Sequence, residues 1–372
     1  MTRSVQTQFT PDYVLKPGEY LREALDSRGI RVGDFATRCG RPQKTISEIL
    51  SGVTSIMPDT ALQFERVLGD MPASLWLNLE AEYQLSRARE RERAGYKDEV
   101  QWARCFPLKE MIEKGFIGRA ADAVGLVQEL LTFFGVSSSS AWAEYWESRV
   151  ATARFKQATT AKQIDRYAVT AWLRRGDYEA SGLECESYSE PKFRSALSAA
   201  RSLTNQEWPA FREKLVSLFG DAGVAIVFVP SLPKTGLRGA AYWATKDKAV
   251  IVVSDRLKVD SRFWFAVFHE AAHILLHSKK ALFLDDDSRG DDRNEEETQA
   301  DNTAAQMLIS NSQFKEFLET YGRQTSYSEA TIRAFARRIG ISPSLLLVRL
   351  QHEEVVPWGT MLQRVLEKKI EF

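Results

Sequence analysis

The stretch Ser261-Arg-Phe-Trp-Phe-Ala-Val-Phe-His269-Glu-Ala-Ala-His273-Ile-Leu-Leu-His277 decides how the C-terminal part of this chain is read. Apolar residues recur in it at helical spacing: Phe265, Phe268, Ala272, Leu275 and Leu276 supply a packing face, and Asp260 or Ser261 stands where a cap belongs. On such a helix His269 and His273 lie one turn apart on one face, so both imidazoles reach a single metal ion. Glu270 follows the first histidine, placed to take a proton from water at that ion. The chain has only 4 histidines, and chance would put two of them in an HExxH pattern roughly a few times in a thousand.

A hydrolytic metal site needs a third protein ligand and an open position. His277 lies about 6 Å of helix rise beyond His273 and could join the same ion only if the helix broke between them. No glycine provides that break, so His277 reads as a helix-terminal residue or a partner for a ligating histidine. The segment Glu297-Thr-Gln-Ala-Asp301 places two carboxylates on one face of the next helix. By position Glu297 can bind the metal while Asp301 holds the outer N–H of a histidine, with Glu295 and Glu296 as alternative ligands.

These residues together resemble the ImmA/IrrE family of metallo-endopeptidases, over about residues 224–350. The motifs that carry the likeness are His269-Glu-Ala-Ala-His273-Ile-Leu-Leu-His277 and Glu297-Thr-Gln-Ala-Asp301-Asn-Thr-Ala-Ala-Gln-Met-Leu. Thr303 stands where that family usually has Phe, a packing position away from the ligands. The resemblance implies one catalytic zinc held by His269, His273 and Glu297, with Glu270 as general base, Asp301 and His277 behind the ligands, and peptide hydrolysis as the reaction. It implies no organic cofactor.

Upstream of the helix, Val224-Ala-Ile-Val-Phe-Val229 reads as a buried strand closed by Pro230. Gly239–Ala244 and Ala249–Val253 flank Thr245–Lys248 as a hairpin. Tyr242 on that hairpin is a candidate donor to a developing oxyanion, and the edge around Gly239–Trp243 a candidate site for pairing with an extended peptide. After His277, Asp285–Glu296 reads as an exposed acidic loop. Residues 97–220 read as mostly helical, with a break at Ser137–Ser140 and a polar loop around Gly176–Pro191. Their Trp and Phe residues read as packing.

At the other end, short amphipathic helices are expected near 18–28, 32–38, 43–51, 58–68 and 74–93. Phe35-Ala-Thr-Arg-Cys-Gly40-Arg-Pro-Gln-Lys-Thr-Ile46-Ser-Glu-Ile49 has the spacing of a helix-turn-helix: Ala36 at the crossing, Gly40 in the turn, Ile46 and Ile49 facing the core. Residues 15–85 resemble the Xre class, particularly HigA-type antitoxin regulators. On that reading Arg41, Gln43, Lys44, Thr45 and Ser47 face the DNA groove, and Thr54 meets phosphate. The likeness implies operator DNA as a partner and pairing as a homodimer, since half-sites are read in pairs. A weaker echo, Phe335-Ala-Arg-Arg-Ile-Gly340, reads as a helical subdomain.

Lys plus Arg and Asp plus Glu are 50 each, so the 372-residue chain is formally neutral, and residues 1–96 are balanced as well. Any DNA contact therefore rests on a local patch. The 3 cysteines, widely spaced, form neither a disulfide framework nor a cysteine metal site, and no apolar run reaches membrane-spanning length. A reduced cytoplasm without membrane attachment is the expected setting.

The expected architecture is multidomain and mainly α. It comprises an all-α helix-turn-helix domain over 1–96, a helical middle region over 97–220, and a small α+β zincin-like peptidase domain with a short β-sheet over 221–372. The expected function is a zinc endopeptidase fused to a DNA-binding domain, cutting a transcriptional repressor or antitoxin-like protein. The alternative is a non-enzymatic antitoxin-type regulator whose metal site is structural or vestigial.

Overall fold

The computed structural model describes residues 14–155, 165–208, 210–286 and 295–371. The chain forms two compact units, Met1–Asp98 and Glu99–Phe372. The first begins with helices α1 (Pro17–Ser27), α2 (Val32–Cys39), α3 (Gln43–Leu50) and α4 (Pro58–Leu68); α5 (Ala73–Ala103) follows. Proline sits in the first turn of α1 and α4, where its missing N–H costs nothing. Gly40 ends α2 in the left-handed region (φ 65°), and its N–H returns to the carbonyls of Ala36 and Thr37. That turn sets α3 against a core of Leu21, Phe35, Ile46, Phe64 and Trp76, all fully buried. Burying each such side chain is worth about 2–3 kcal/mol. The helix expected to end at 93 continues to Ala103, so Arg87–Arg93 is a mixed-charge stretch of unbroken helix.

In the second unit come α6 (Leu108–Glu113), α7 (Ala123–Phe134), α8 (Ser139–Trp142), a π-helical turn (Ala143–Glu147) and α9 (Ser148–Ala151). They are followed by β1 (Arg154–Phe155), α10 (Arg166–Ser181), α11 (Glu190–Leu203) and α12 (Ala210–Gly220). Residues 99–220 share one compact unit with everything after them. Gly176 is not in a loop but inside α10, where a Cβ would sit 2.8 Å from Val252 Cγ2 and hold the helix off the sheet.

The sheet adds β2 (Val224–Val229), β3 (Leu237–Thr245), β4 (Lys248–Ser254) and β5 (Phe283–Asp286), in the order β1-β5-β3-β4-β2. It is mixed: β2 runs parallel to β4 and β1 to β5, while β3 is antiparallel to both its neighbours. Both faces are covered, so β2 and β4 are continuous apolar runs without alternation. One face packs on α10, where Trp172 donates to the Val229 carbonyl at 3.2 Å. The other packs on α13 (Asp260–Leu276).

After β5 come α14 (Glu295–Leu308), α15 (Asn311–Tyr321), α16 (Glu329–Ile339), α17 (Pro343–His352) and α18 (Met361–Leu366). Arg201 of α11 fastens three of these pieces. Its guanidinium donates to the carbonyls of Leu308 (2.7 Å) and Ile339 (2.7 Å), ending α14 and α16, and to Gln313 Oε1 of α15 (3.1 Å). The echo at 335–340 has the same left-handed glycine as α2, Gly340 at φ 76°. Its second helix, α17, buries Leu345, Leu346, Leu347 and Leu350. No helix among the described residues is long and apolar enough to cross a membrane.

Candidate metal centre

Helix α13 is driven into the core by Phe263, Trp264, Val267 and Phe268, all buried. Its N-terminus differs from the expected cap. Val259 precedes the helix, and Asp260 is buried inside its first turn, accepting from Ser342 Oγ (2.6 Å), Ser344 Oγ (2.7 Å) and the Lys368 N–H (2.9 Å). The acid favours the helix N-terminus and also ties α13 to α17.

With the helix so anchored, His269 and His273 turn toward α14, where Glu297 is fully buried. The two histidine Nε2 atoms are 3.0 Å apart, and Glu297 Oε2 and Oε1 lie 3.3 Å and 3.4 Å from them. A tetrahedral ion with metal–ligand bonds near 2.1 Å needs its donors about 3.4 Å apart. Two imidazoles and a carboxylate at such separations fit zinc in both spacing and donor chemistry. Glu295, an alternative ligand by position, is exposed; Glu296 is half-buried; neither belongs to the convergent group.

The histidines are oriented from behind. His269 Nδ1 lies 2.9 Å from Asp301 Oδ1, one turn beyond Glu297. A carboxylate only accepts, so the proton belongs on Nδ1 and the lone pair of Nε2 faces Glu297. His273 Nδ1 lies 2.9 Å from His277 Nδ1. The helix does end at His277, where the backbone becomes extended, and this break turns its ring toward the back of His273. Phe283 of β5 stacks on His273, centroids 4.1 Å apart and planes 18° from parallel. Burial drives the His273 pKa down to about 4, favouring the neutral ring that ligation requires. For Glu297 burial acts upward, but the contacts from both histidines outweigh it and hold the carboxyl ionised.

The Glu270 side chain lies against β3. A Cβ on Gly239 would stand 2.9 Å from the Glu270 carboxyl carbon and 3.0 Å from its Cγ, so only glycine leaves the acid its place. Sequence reading named Gly239 only as part of a strand edge. The contact joins residues thirty-one positions apart (239 to 270), which no local pattern reveals.

Successive strand residues face opposite ways, so Tyr242 lies on the far side of the sheet from Gly239. Its hydroxyl donates to Asp177 of α10, which also pairs with Arg149 at 2.7 Å, and it is no oxyanion donor. The edge around Gly239–Trp243 is not free either. β4 takes one side, and β5 pairs with Gly239, Ala240 and Ala241 on the other. Asp285 and Asp286, expected to open the acidic loop, end that strand; residues 287–294 of the loop lie outside the described residues.

In the first unit, Gln43, Lys44 and Ser47 are exposed on α3 and Thr45 is half-buried. Lys44 lies 3.8 Å from Glu48. Arg41 is drawn aside, its Nε donating to Gln63 Oε1 at 2.7 Å. The Thr54 hydroxyl is taken by Glu48 Oε2 at 3.2 Å, so phosphate contact at Thr54 would have to displace that bond.

Residues 221–351, the span holding the triad, Glu270 and both partners behind the histidines, match the model of the M78 peptidases, described as the IrrE N-terminal-like domain. This part of the chain is an ImmA/IrrE-type domain. The chain is also similar to helix-turn-helix regulators. It is 30% identical over 73 residues to the uncharacterized regulator YddM of Escherichia coli (strain K12), covering 20% of this chain and 77% of that protein. To virulence-associated protein A of Dichelobacter nodosus it is 28% identical over 88 residues, 24% of this chain and 82% of the other. Among solved structures, an antidote protein of a plasmid maintenance system from Nostoc punctiforme is 32% identical over 23% of this chain and 91% of its own (TM-score 0.22). A HigA-family addiction module antidote from Coxiella burnetii is 28% identical over 23% and 94% (TM-score 0.21).

Proposed function

We propose that this protein is a zinc-dependent endopeptidase fused to an operator-binding helix-turn-helix, cutting a transcriptional repressor or antitoxin-like protein. The observation that carries the reading is the buried triangle of His269, His273 and Glu297, with Glu270 next to His269 on the same helix and its carboxylate fixed against Gly239. A bound zinc ion supplies Lewis acidity, lowering the pKa of water toward neutrality and polarising the scissile carbonyl. The protein's own share is orientation and proton transfer. Asp301 and His277 fix the two rings, Glu297 supplies the negative charge, and Glu270 takes a proton from the attacking water and passes it to the leaving amine.

The helix-turn-helix reading places Arg41, Gln43, Lys44, Thr45 and Ser47 at the groove, with Gln43 and Lys44 as the exposed pair best able to reach base edges. The likeness to the regulator YddM supports DNA as the partner. The setting is a cytoplasm, and a homodimer reads paired half-sites. Incubating the protein with any repressor or toxin–antitoxin pair encoded beside it tests this. One of those proteins is cut, the cutting stops with a chelator, and added zinc restores it. Intact partners under zinc-loaded conditions would leave the non-enzymatic regulator as the better account.

A further inference from the structure

Between Asp260 and Ile274 every residue of α13 is buried except Arg262 and Phe265. Counting back from His269, these lie seven and four positions away, on the face that carries the histidines. The metal-facing side of the helix therefore opens to solvent N-terminal to His269. From there aromatic rings run outward in a row. Phe265 and His269 have centroids 6.3 Å apart, His352 stacks on Phe265 at 6.3 Å and 16°, and Trp358 meets His352 edge-on at 5.0 Å. Trp358 is 53% exposed and Met361, just beyond it, 73%.

This exposed indole is held in place. Buried Gln351 donates to the Pro357 carbonyl at 3.2 Å, and the Gly359 N–H donates to Gln363 at 3.3 Å. Gly359 takes φ 78°, which brings the chain sharply round beside the ring. Trp358 thus presents a large apolar surface to water from a backbone fixed on both sides. Trp358 and Met361 offer far less area than the roughly 800 Å² per partner of a stable protein interface. They suit one side chain of an extended peptide.

We infer that Phe265, His352 and Trp358 form a subsite for an apolar, preferably aromatic, side chain of the substrate. The three centroid steps of 6.3, 6.3 and 5.0 Å place that side chain within about five residues of the cleaved bond in an extended chain. The inference rests on the peptidase reading of His269, His273, Glu270 and Glu297. It adds what the substrate must carry.

The test is digestion of a mixed peptide library by the zinc-loaded full-length protein, with products read by mass spectrometry. Cut peptides are enriched about tenfold in Phe, Tyr, Trp or Leu at one position within five residues of the cut. The enrichment falls to near unity in Trp358→Ala and returns in Trp358→Phe. Cutting without such a position, or a preference that survives Trp358→Ala, overturns the subsite and leaves the peptidase standing. If wild type cuts nothing, the peptidase reading fails and the surface is judged by binding. In 5-fluorotryptophan-labelled Glu270→Gln protein, the fluorine signal of Trp358 shifts with an alanine–lysine heptapeptide carrying one phenylalanine and stays put with its serine counterpart. Equal response to both peptides, or none, rejects the subsite independently.

Discussion

Gly239 and Glu270 occupy adjoining space so tightly that a methyl group on the first would fall 2.9 Å from the carboxyl carbon of the second. Gly239 sits mid-strand, paired with Val253 on one side and Asp285 on the other, and cannot withdraw without breaking two ladders. The carboxylate is therefore the partner that yields. Gly239→Ala should bind zinc as wild type does but lose at least about a hundredfold in kcat/KM, because a misplacement near 1 Å costs that much. Zinc content with peptidase kinetics on the same sample checks it; unchanged activity would show that Glu270 tolerates displacement.

Asp301 stands behind His269 at 2.9 Å. Asp301→Ala leaves all three donors in place but frees the ring to rotate and exchange tautomers. Zinc affinity should fall about 10- to 100-fold, measured by competition with a chromophoric chelator. Asp301→Asn should fall less, since the amide oxygen still accepts. Equal losses for both would point to charge rather than orientation.

Cys39 lies in the core of the first unit, and burial pushes its thiol from the ordinary value of about 9 up to about 11. The neutral form is thus favoured in the folded state, while the unfolded chain ionises from pH 9. Stability of this unit is full below pH 9 and declines as pH rises toward 11. Alkylation with mass spectrometry at pH 8 should label exposed Cys105 long before Cys39. Equal labelling would contradict the packing.

Lys44 is exposed on α3, 3.8 Å from Glu48. If α3 enters the groove, Lys44→Ala weakens operator binding and relaxes preference at the base edge it reaches, and loss of its positive charge lowers the slope of log K against log salt by up to about 0.9. Gln43→Ala only flattens preference at one base pair. Titrations at several salt concentrations distinguish the two; no change in either variant removes α3 from the interface.

The first unit was legible because Gly40, the prolines of α1 and α4 and the spacing of Phe35, Ile46 and Ile49 are local signals, and local chemistry sets those helices. The HExxH helix was legible for the same reason. β5 was not: it is four residues long and ends in two aspartates, and pairing with β3 and β1 makes it a strand. Tyr242 was misread because nothing near it in sequence announces Asp177, sixty-five residues away. Asp260 looked like a cap, but its serine partners come from α17. Contacts across the fold, rather than periodicity, decide such roles.

The central claim is that Glu270 moves the proton while His269, His273 and Glu297 hold the metal. Glu270→Gln keeps the shape and removes only the base. The account predicts one zinc per chain in the variant, as in wild type, with cleavage of the substrate protein reduced by at least about a thousandfold. A variant that retains zinc and cuts at the wild-type rate would contradict it.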